Sequence, residues 1–170
     1  KSPVTLRMLA ACVTLGWLLT SIASGAETRP ARNILVLGDS LAAGSGVARE
    51  HAFPALLQQK IDSRELPFKV INGGVSGDTS AGGLRRINWM LKRKIDVLLL
   101  ELGGNDGLRG IDTKTTQANL QAIIDKAKTK YPNIRIVVAG MQMPPNMGKE
   151  YTDRFQKIFP ELAKANQADL

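Results

Sequence analysis

The sequence predicts an α/β domain built on a parallel sheet with helices on both faces. Three observations point there. Four short apolar runs recur along the chain with little internal alternation, as strands buried on both faces require. Each run ends in a turn rich in glycine or proline, and the segments between runs carry helical spacing. Strands that alternate with helices in this way are joined by right-handed crossovers and lie parallel. With 170 residues, 44% of them hydrophobic, the chain has the size and composition of one such domain.

The expected strands are residues 33–37, 68–72, 96–102 and 134–139. Helical spacing covers 52–61, 84–91 and 113–130, and in the last of these Leu120, Ile123, Ile124 and Ala127 form one apolar stripe. A further helix-like segment, 151–165, precedes the closing Asn-Gln-Ala-Asp-Leu. No internal repeat, low-complexity tract or second domain is visible, so residues 27–170 read as one domain.

Residues 1–26 have a different character. Lys1 and Arg7 make a basic start, residues 8–23 are mostly apolar, and Ser24, Gly25 and Ala26 are small. That is the outline of a secretory signal peptide cleaved after Ala26. Thr14, Gly16, Thr20 and Ser21 dilute an apolar run already shorter than the ~20 residues that span a bilayer, so no stable membrane anchor is expected. The only cysteine, Cys12, has most of the apolar run after it, which is the wrong order for a lipid-anchor site. After cleavage no thiol remains, which excludes a disulfide framework, a thiolate metal site and a cysteine nucleophile. A periplasmic or secreted enzyme is the expectation.

The formal net charge is +8; residues 1–26 hold two of the 23 basic residues and none of the 15 acidic ones, so the remainder carries 21 against 15, or +6. The only basic cluster, residues 85–94, reads as the solvated face of a helix. It lacks the interleaved aromatics of a nucleic-acid surface, so no nucleic-acid partner is expected.

In a parallel sheet, ligands bind beyond the carboxyl ends of the strands. The turns there read GDSLAAGSG (38–46), GGVSGDTS (73–80), GGNDGLRG (103–110) and GMQMPPNMG (140–148). Ser40, where an apolar strand gives way to a helix, has the placement of a nucleophile with its own N–H facing the site. Gly77 can present a bare backbone N–H, and Asn105 a side-chain amide donor that makes little difference to folding. Singly, each has an ordinary reading: Ser40 as a helix N-cap, Gly77 as a turn glycine, Asn105 as an Asx-turn residue. Asp39 and Asp78 read as acceptors for turn and helix-start N–H groups. Together the three turns offer a nucleophile and three donors, the parts of an acyl-transfer site.

GDSL at 38–41, SGDTS at 76–80 and GGND at 103–106 resemble the first three sequence blocks of the GDSL, or SGNH, hydrolases. The longer strings NGGVSGDTSAGGL, ELGGNDGLRG and FPALL are similar to the exported bacterial thioesterase/lysophospholipase/arylesterase subgroup, and the likeness runs from about residue 33 onward. The resemblance implies Ser40 as nucleophile, an oxyanion hole of the Ser40 and Gly77 N–H groups and the Asn105 amide, and a flavodoxin-like three-layer α/β/α sandwich of strand order 2-1-3-4-5. It also implies a small acyl ester or thioester substrate; no cofactor or metal is expected, and the protein is expected to be a monomer.

The family's base and its orienting acid come from an Asp-x-x-His motif in the last turn before a C-terminal helix. No Asp-x-x-His occurs in these 170 residues. The expectation is therefore a fragment, starting without Met and lacking the last strand and helix, with its catalytic Asp and His beyond Leu170 and negligible activity of its own. The single histidine, His51, is 11 positions after Ser40 at a helix start and must fold back to serve as base, so it reads as solvent-facing. Leu108, Met141, Met143 and Pro144 are in turns that flank the acyl chain, and methionine suits an adaptable apolar groove, although the two methionines suit core packing equally. The rival class is a non-catalytic flavodoxin-like binding module. Neither G-x-G-x-x-G nor G-x-x-x-x-G-K-[ST] occurs in the turns, which counts against nucleotides.

Overall fold

Four of the apolar runs pair in parallel. β1 (Arg32–Gly38), β2 (Phe68–Gly74), β3 (Val97–Glu101) and β4 (Arg135–Val138) form one sheet of order β2-β1-β3-β4 in the computed structural model, which describes residues 30–170. The segment 1–26 and Cys12 lie outside the described residues. After the last helix the chain returns beside β4, where Val137 and Asp169 make a parallel bridge. The strand order implied by the family resemblance is thus realised for four strands, with the bridge in the fifth position.

The helices are α1 (Ser40–Ala43), α2 (Phe53–Asp62), α3 (Ser80–Met90), α4 (Gly104–Leu108), α5 (Thr113–Lys130) and α6 (Lys149–Asn166), with single 3-10 turns at Arg49–His51 and Pro145–Met147. α5 has the expected bounds because both of its signals are local: Asp112 caps the Lys114 and Thr115 N–H groups, and the Leu120, Ile123, Ile124 and Ala127 stripe is buried. α3 begins four residues before the expected 84. Thr79 caps it by accepting from the Gly82 N–H, and its first turn, Ser-Ala-Gly-Gly, carries no apolar period to read. α1 and α4 are single turns of small residues and leave no periodic trace.

The two faces of the sheet are covered unequally. Leu35, Leu37, Leu98, Leu100, Ile136 and Val138 point into one cluster with α3, α5 and α6, which pack side by side. On the other face Val36 is buried, but Leu99 and Val137 are only half-buried, and α2 packs on β2. The expectation of strands buried on both faces fails for β2, an edge strand whose Lys69 and Asn72 are exposed. No helix among the described residues is long and apolar enough to cross a membrane.

Polar side chains tie the helices together where they meet above the carboxyl ends of the strands. Asp106, at 0% exposure, accepts from the Ser80 N–H (2.8 Å) and the Ser80 hydroxyl (2.5 Å), joining α4 to the start of α3, and Asn119 of α5 donates to the same hydroxyl. Leaving these buried donors unpaired is expensive. Asp106→Ala is expected to lower unfolding stability by about 3 kcal/mol, measured by urea denaturation; an unchanged midpoint would show that the network does not hold α3 and α4 together.

Candidate active site

The GDS turn is built around Asp39. Its side chain, 3% exposed, accepts from the Leu41 N–H through Oδ1 (3.0 Å), so Asp39 and not Ser40 is the N-cap of α1. This corrects the ordinary reading of Ser40 and places it at the first position of the helix. There its N–H has no acceptor one turn back, and its hydroxyl makes no hydrogen bond among the described residues. Gly44, with φ +82°, ends α1 after a single turn.

Side chains join the second and third turns to the first. Asn105 of α4 donates through Nδ2 to Asp39 Oδ2 (3.1 Å) and to the Asp78 carbonyl (2.9 Å). These two bonds give Asn105 a structural part beside the oxyanion role expected of it. The hydroxyls of Ser45 and Ser76 meet at 2.6 Å, a second tie between the first and second turns. Gly77 is exposed at φ +77°, in the left-handed region that glycine enters without strain. Its carbonyl accepts from Arg109, and its N–H donates to no acceptor among the described residues. Ser40, Asn105 and the turn holding Gly77 are thus drawn together beyond the carboxyl ends of β1, β3 and β2.

Arg86 holds this arrangement from below. It forms an ion pair with Asp78 (2.7 Å) and donates to the carbonyls of Gly73 (2.6 Å) and Gly38 (2.9 Å), at the ends of β2 and β1. Arg86 is half-buried and spoken for, which corrects the reading of residues 85–94 as a uniformly solvated face; Arg85, Lys92, Arg93 and Lys94 are exposed. Asp78 behaves as a structural acceptor, bonded to the Thr79 N–H as well as to Arg86.

Glu101 was not a sequence candidate. At the end of β3, 5% exposed, it accepts the Asp39 N–H through Oε2 (3.2 Å), and its Oε1 has no hydrogen-bond partner. Burial first, and the neighbouring Asp39 carboxylate second, push its carboxyl up to about 7. The available signal was a carboxylate inside an otherwise apolar expected strand. The aromatic ladder of α6 was also missed. Tyr151 stacks on Phe155, which meets Phe159 edge to face, with Phe159 against Gly103 and the Tyr151 hydroxyl donating to the Ile111 carbonyl (2.8 Å), so α6 clamps the segment on either side of Asn105.

The expected substrate-flanking residues divide. Leu108 is 61% exposed at the end of α4. Met141 and Met143 are half-buried and pack on the core, lying against Gly104 and Gly107 of α4. Met141 also lines a recess of about 380 Å³ together with Gly140, Gln142, Phe159 and Leu170. Pro144 is exposed at the start of a 3-10 turn. His51 is exposed in the Arg49–His51 turn, as expected. Among the described residues no group of three or more His, Cys, Asp and Glu side chains is placed to hold a metal ion.

Residues 36–170 match the profile of the GDSL-like Lipase/Acylhydrolase family. The chain is similar to an arylesterase of Vibrio mimicus, 40% identical over 146 residues that cover 85% of this chain and 72% of that protein. It is likewise similar to the Escherichia coli (strain K12) protein named thioesterase 1/protease 1/lysophospholipase L1, 40% identical over 148 residues that cover 86% of this chain and 66% of that one. Among solved structures it resembles AlinE4, an SGNH-hydrolase family esterase, with a TM-score of 0.79 and 39% identity, covering 84% of this chain and 76% of the other. By the family match over most of its length, and by relatives at this level of identity, the chain belongs to the GDSL-like lipase/acylhydrolase family.

Proposed function

We propose that the chain is a serine esterase that cleaves carboxylic ester or thioester bonds through an acyl-enzyme on Ser40. The observation that carries the reading is the joining of three turns by Asn105, beside which the Ser40 and Gly77 N–H groups and the Ser40 hydroxyl have no hydrogen-bond partner among the described residues. Groups of this kind are what a tetrahedral oxyanion needs, fixed before the reaction begins.

In the proposed reaction Ser40 Oγ attacks the substrate carbonyl carbon and its proton passes to a base. The oxygen that becomes negative accepts from the Ser40 N–H, the Gly77 N–H and the Asn105 amide. Collapse expels the alcohol or thiol, and water then attacks the acyl carbon to release the acid and free Ser40. Leu108, exposed beside Asn105, is the apolar group best placed against the acyl chain. Met141, Met143 and Pro144 shape the neighbouring wall. The arylesterase and thioesterase/lysophospholipase names of the relatives favour aryl esters, thioesters and lysophospholipids as substrate classes to test. The proposal includes export, on the residue pattern of 1–26, and a monomeric enzyme without a cofactor.

Treating the full protein with a fluorophosphonate and mapping the adduct by mass spectrometry should find it on Ser40; an adduct elsewhere, or full activity in Ser40→Ala, would refute the assignment. Asn105→Ala is expected to lower kcat by ~10²-fold or more with little change in KM, and to lower stability by about 1 kcal/mol through the lost bonds to Asp39 and Asp78. A large fall in melting temperature with unchanged kcat would make Asn105 structural only. No base stands within hydrogen-bond distance of Ser40 Oγ among the described residues, so the 170 residues alone should hydrolyse p-nitrophenyl butyrate negligibly. A form in which a segment bearing Asp-x-x-His follows Leu170 should be faster by ~10²–10⁴-fold, the usual contribution of a positioned base. Equal rates, abolished by His51→Ala, would instead make His51 the base.

A further inference from the structure

We infer that the Glu101 carboxyl is a positioning group for the Ser40 turn: from beneath the turn it holds Asp39, and through Asp39 it sets Ser40 against Asn105. The inference rests on the esterase reading above. Glu101 pairs in register with Gly38, and its side chain occupies the space that a Cβ on Gly38 would need, 2.5 Å from Oε2. There Oε2 accepts the Asp39 N–H (3.2 Å), while Oε1 is buried without a hydrogen-bond partner. An unpaired buried oxygen is destabilising, and an apolar side chain would fill the same volume without that cost. The carboxyl is explained by what it touches: the backbone of the residue that caps α1 and receives the Asn105 amide.

The charge on this group decides whether the turn is held or pushed. Two charged groups face it. Asp39 approaches from the turn above; Arg86 of α3 reaches the Gly38 carbonyl but is paired with Asp78. Asp39 is therefore the neighbour whose charge is not offset by an ion pair. With burial and Asp39 raising Glu101 to about 7, the carboxyl is neutral on the acid side of that value and Asp39 lies against it without repulsion. On the alkaline side two carboxylates share one buried space, and their repulsion drives Asp39 off the Leu41 N–H and the Asn105 amide. Ser40 and Asn105 then lose their common support, and a displacement of ~1 Å between reacting groups costs up to ~10²-fold in rate.

The test is the rate of Ser40 labelling by a fluorophosphonate in the full protein from about pH 5 to 9, a range that brackets the ordinary histidine value and the raised carboxyl. Wild type is compared with Glu101→Gln, which keeps an oxygen for the Asp39 N–H and cannot ionise. The general base titrates in both proteins, so its contribution cancels in the ratio of the two rates. Normalised at the acid end, the ratio of wild type to Glu101→Gln is expected to fall about tenfold or more through pH 7, in keeping with the cost of misplacement, with half-saturating reagent concentration unchanged. A flat ratio overturns the inference. So does Glu101→Ala labelling as fast as wild type with a native melting temperature; if that variant does not fold, the glutamine variant carries the test. Labelling that persists in Ser40→Ala would instead overturn the esterase reading, independently of Glu101.

Discussion

The buried carboxylate of Asp39 is the junction on which the proposed site depends. At 3% exposure it must find donors within the protein, and it finds two from different parts of the chain: the N–H of Leu41, the second residue of α1, and the Asn105 amide on α4. The first bond turns the chain into a helix directly after β1 and leaves Ser40 at its leading position with an N–H that has no acceptor among the described residues. The second brings the third turn onto the first. One carboxylate thus settles the direction of the nucleophile-bearing helix and the position of the amide opposite it.

The support for that junction comes from farther away. Arg86 spans the ends of β1 and β2 with three donors directed at Asp78, Gly73 and Gly38, a geometry that the planar guanidinium fork suits and an ammonium does not. Asp106 and Ser80 lock the starts of α3 and α4 together, and the Tyr151–Phe155–Phe159 ladder presses on the glycine-rich loop between β3 and α4. That loop has few side chains of its own for packing, so its rigidity is supplied by the helix above it. Oxyanion donors contribute most when they need no reorganisation as charge develops, and these contacts are the means of holding them still.

The electrostatics of the same region are unusual for a chain with a net positive charge. Asp39, Asp78, Glu101 and Asp106 crowd the carboxyl ends of the strands, and among the described residues only Asp78 of these four has an ion-pair partner, Arg86. The other acids rely on N–H, amide and hydroxyl donors, except for the single unpaired oxygen of Glu101. Burying a carboxylate with so few donors favours its neutral form, which is why Glu101 is displaced upward, with the Asp39 charge adding to the effect.

The sequence by itself determined the class of fold, the succession of strands and long helices, and the turns in which chemistry is sought. These are local properties: apolar runs mark the buried β1, β3 and β4, and an acidic cap with a 3.6-residue stripe marks α5 from Thr113 to Lys130. The order of the GDS, SGDTS and GGND turns, with the family likeness they carry, also made Ser40, Gly77 and Asn105 legible as candidates. Only the tertiary structure decided which polar residues meet. Nothing in residues 85–94 separates Arg86, stapled beneath the turns, from Arg85 in solvent, and nothing local sets Met141 and Met143 against α4 or puts the Glu101 carboxyl under Asp39. α1 and α4 escape the pattern as well, because four or five small residues are too few to show a period and are held helical by their surroundings. The division has one physical cause: hydrophobic periodicity and capping act between residues a few positions apart, whereas Glu101 and Asn105 are brought to Asp39, and Gly38 to Arg86, from tens of residues away by the closing of the sheet and its helices.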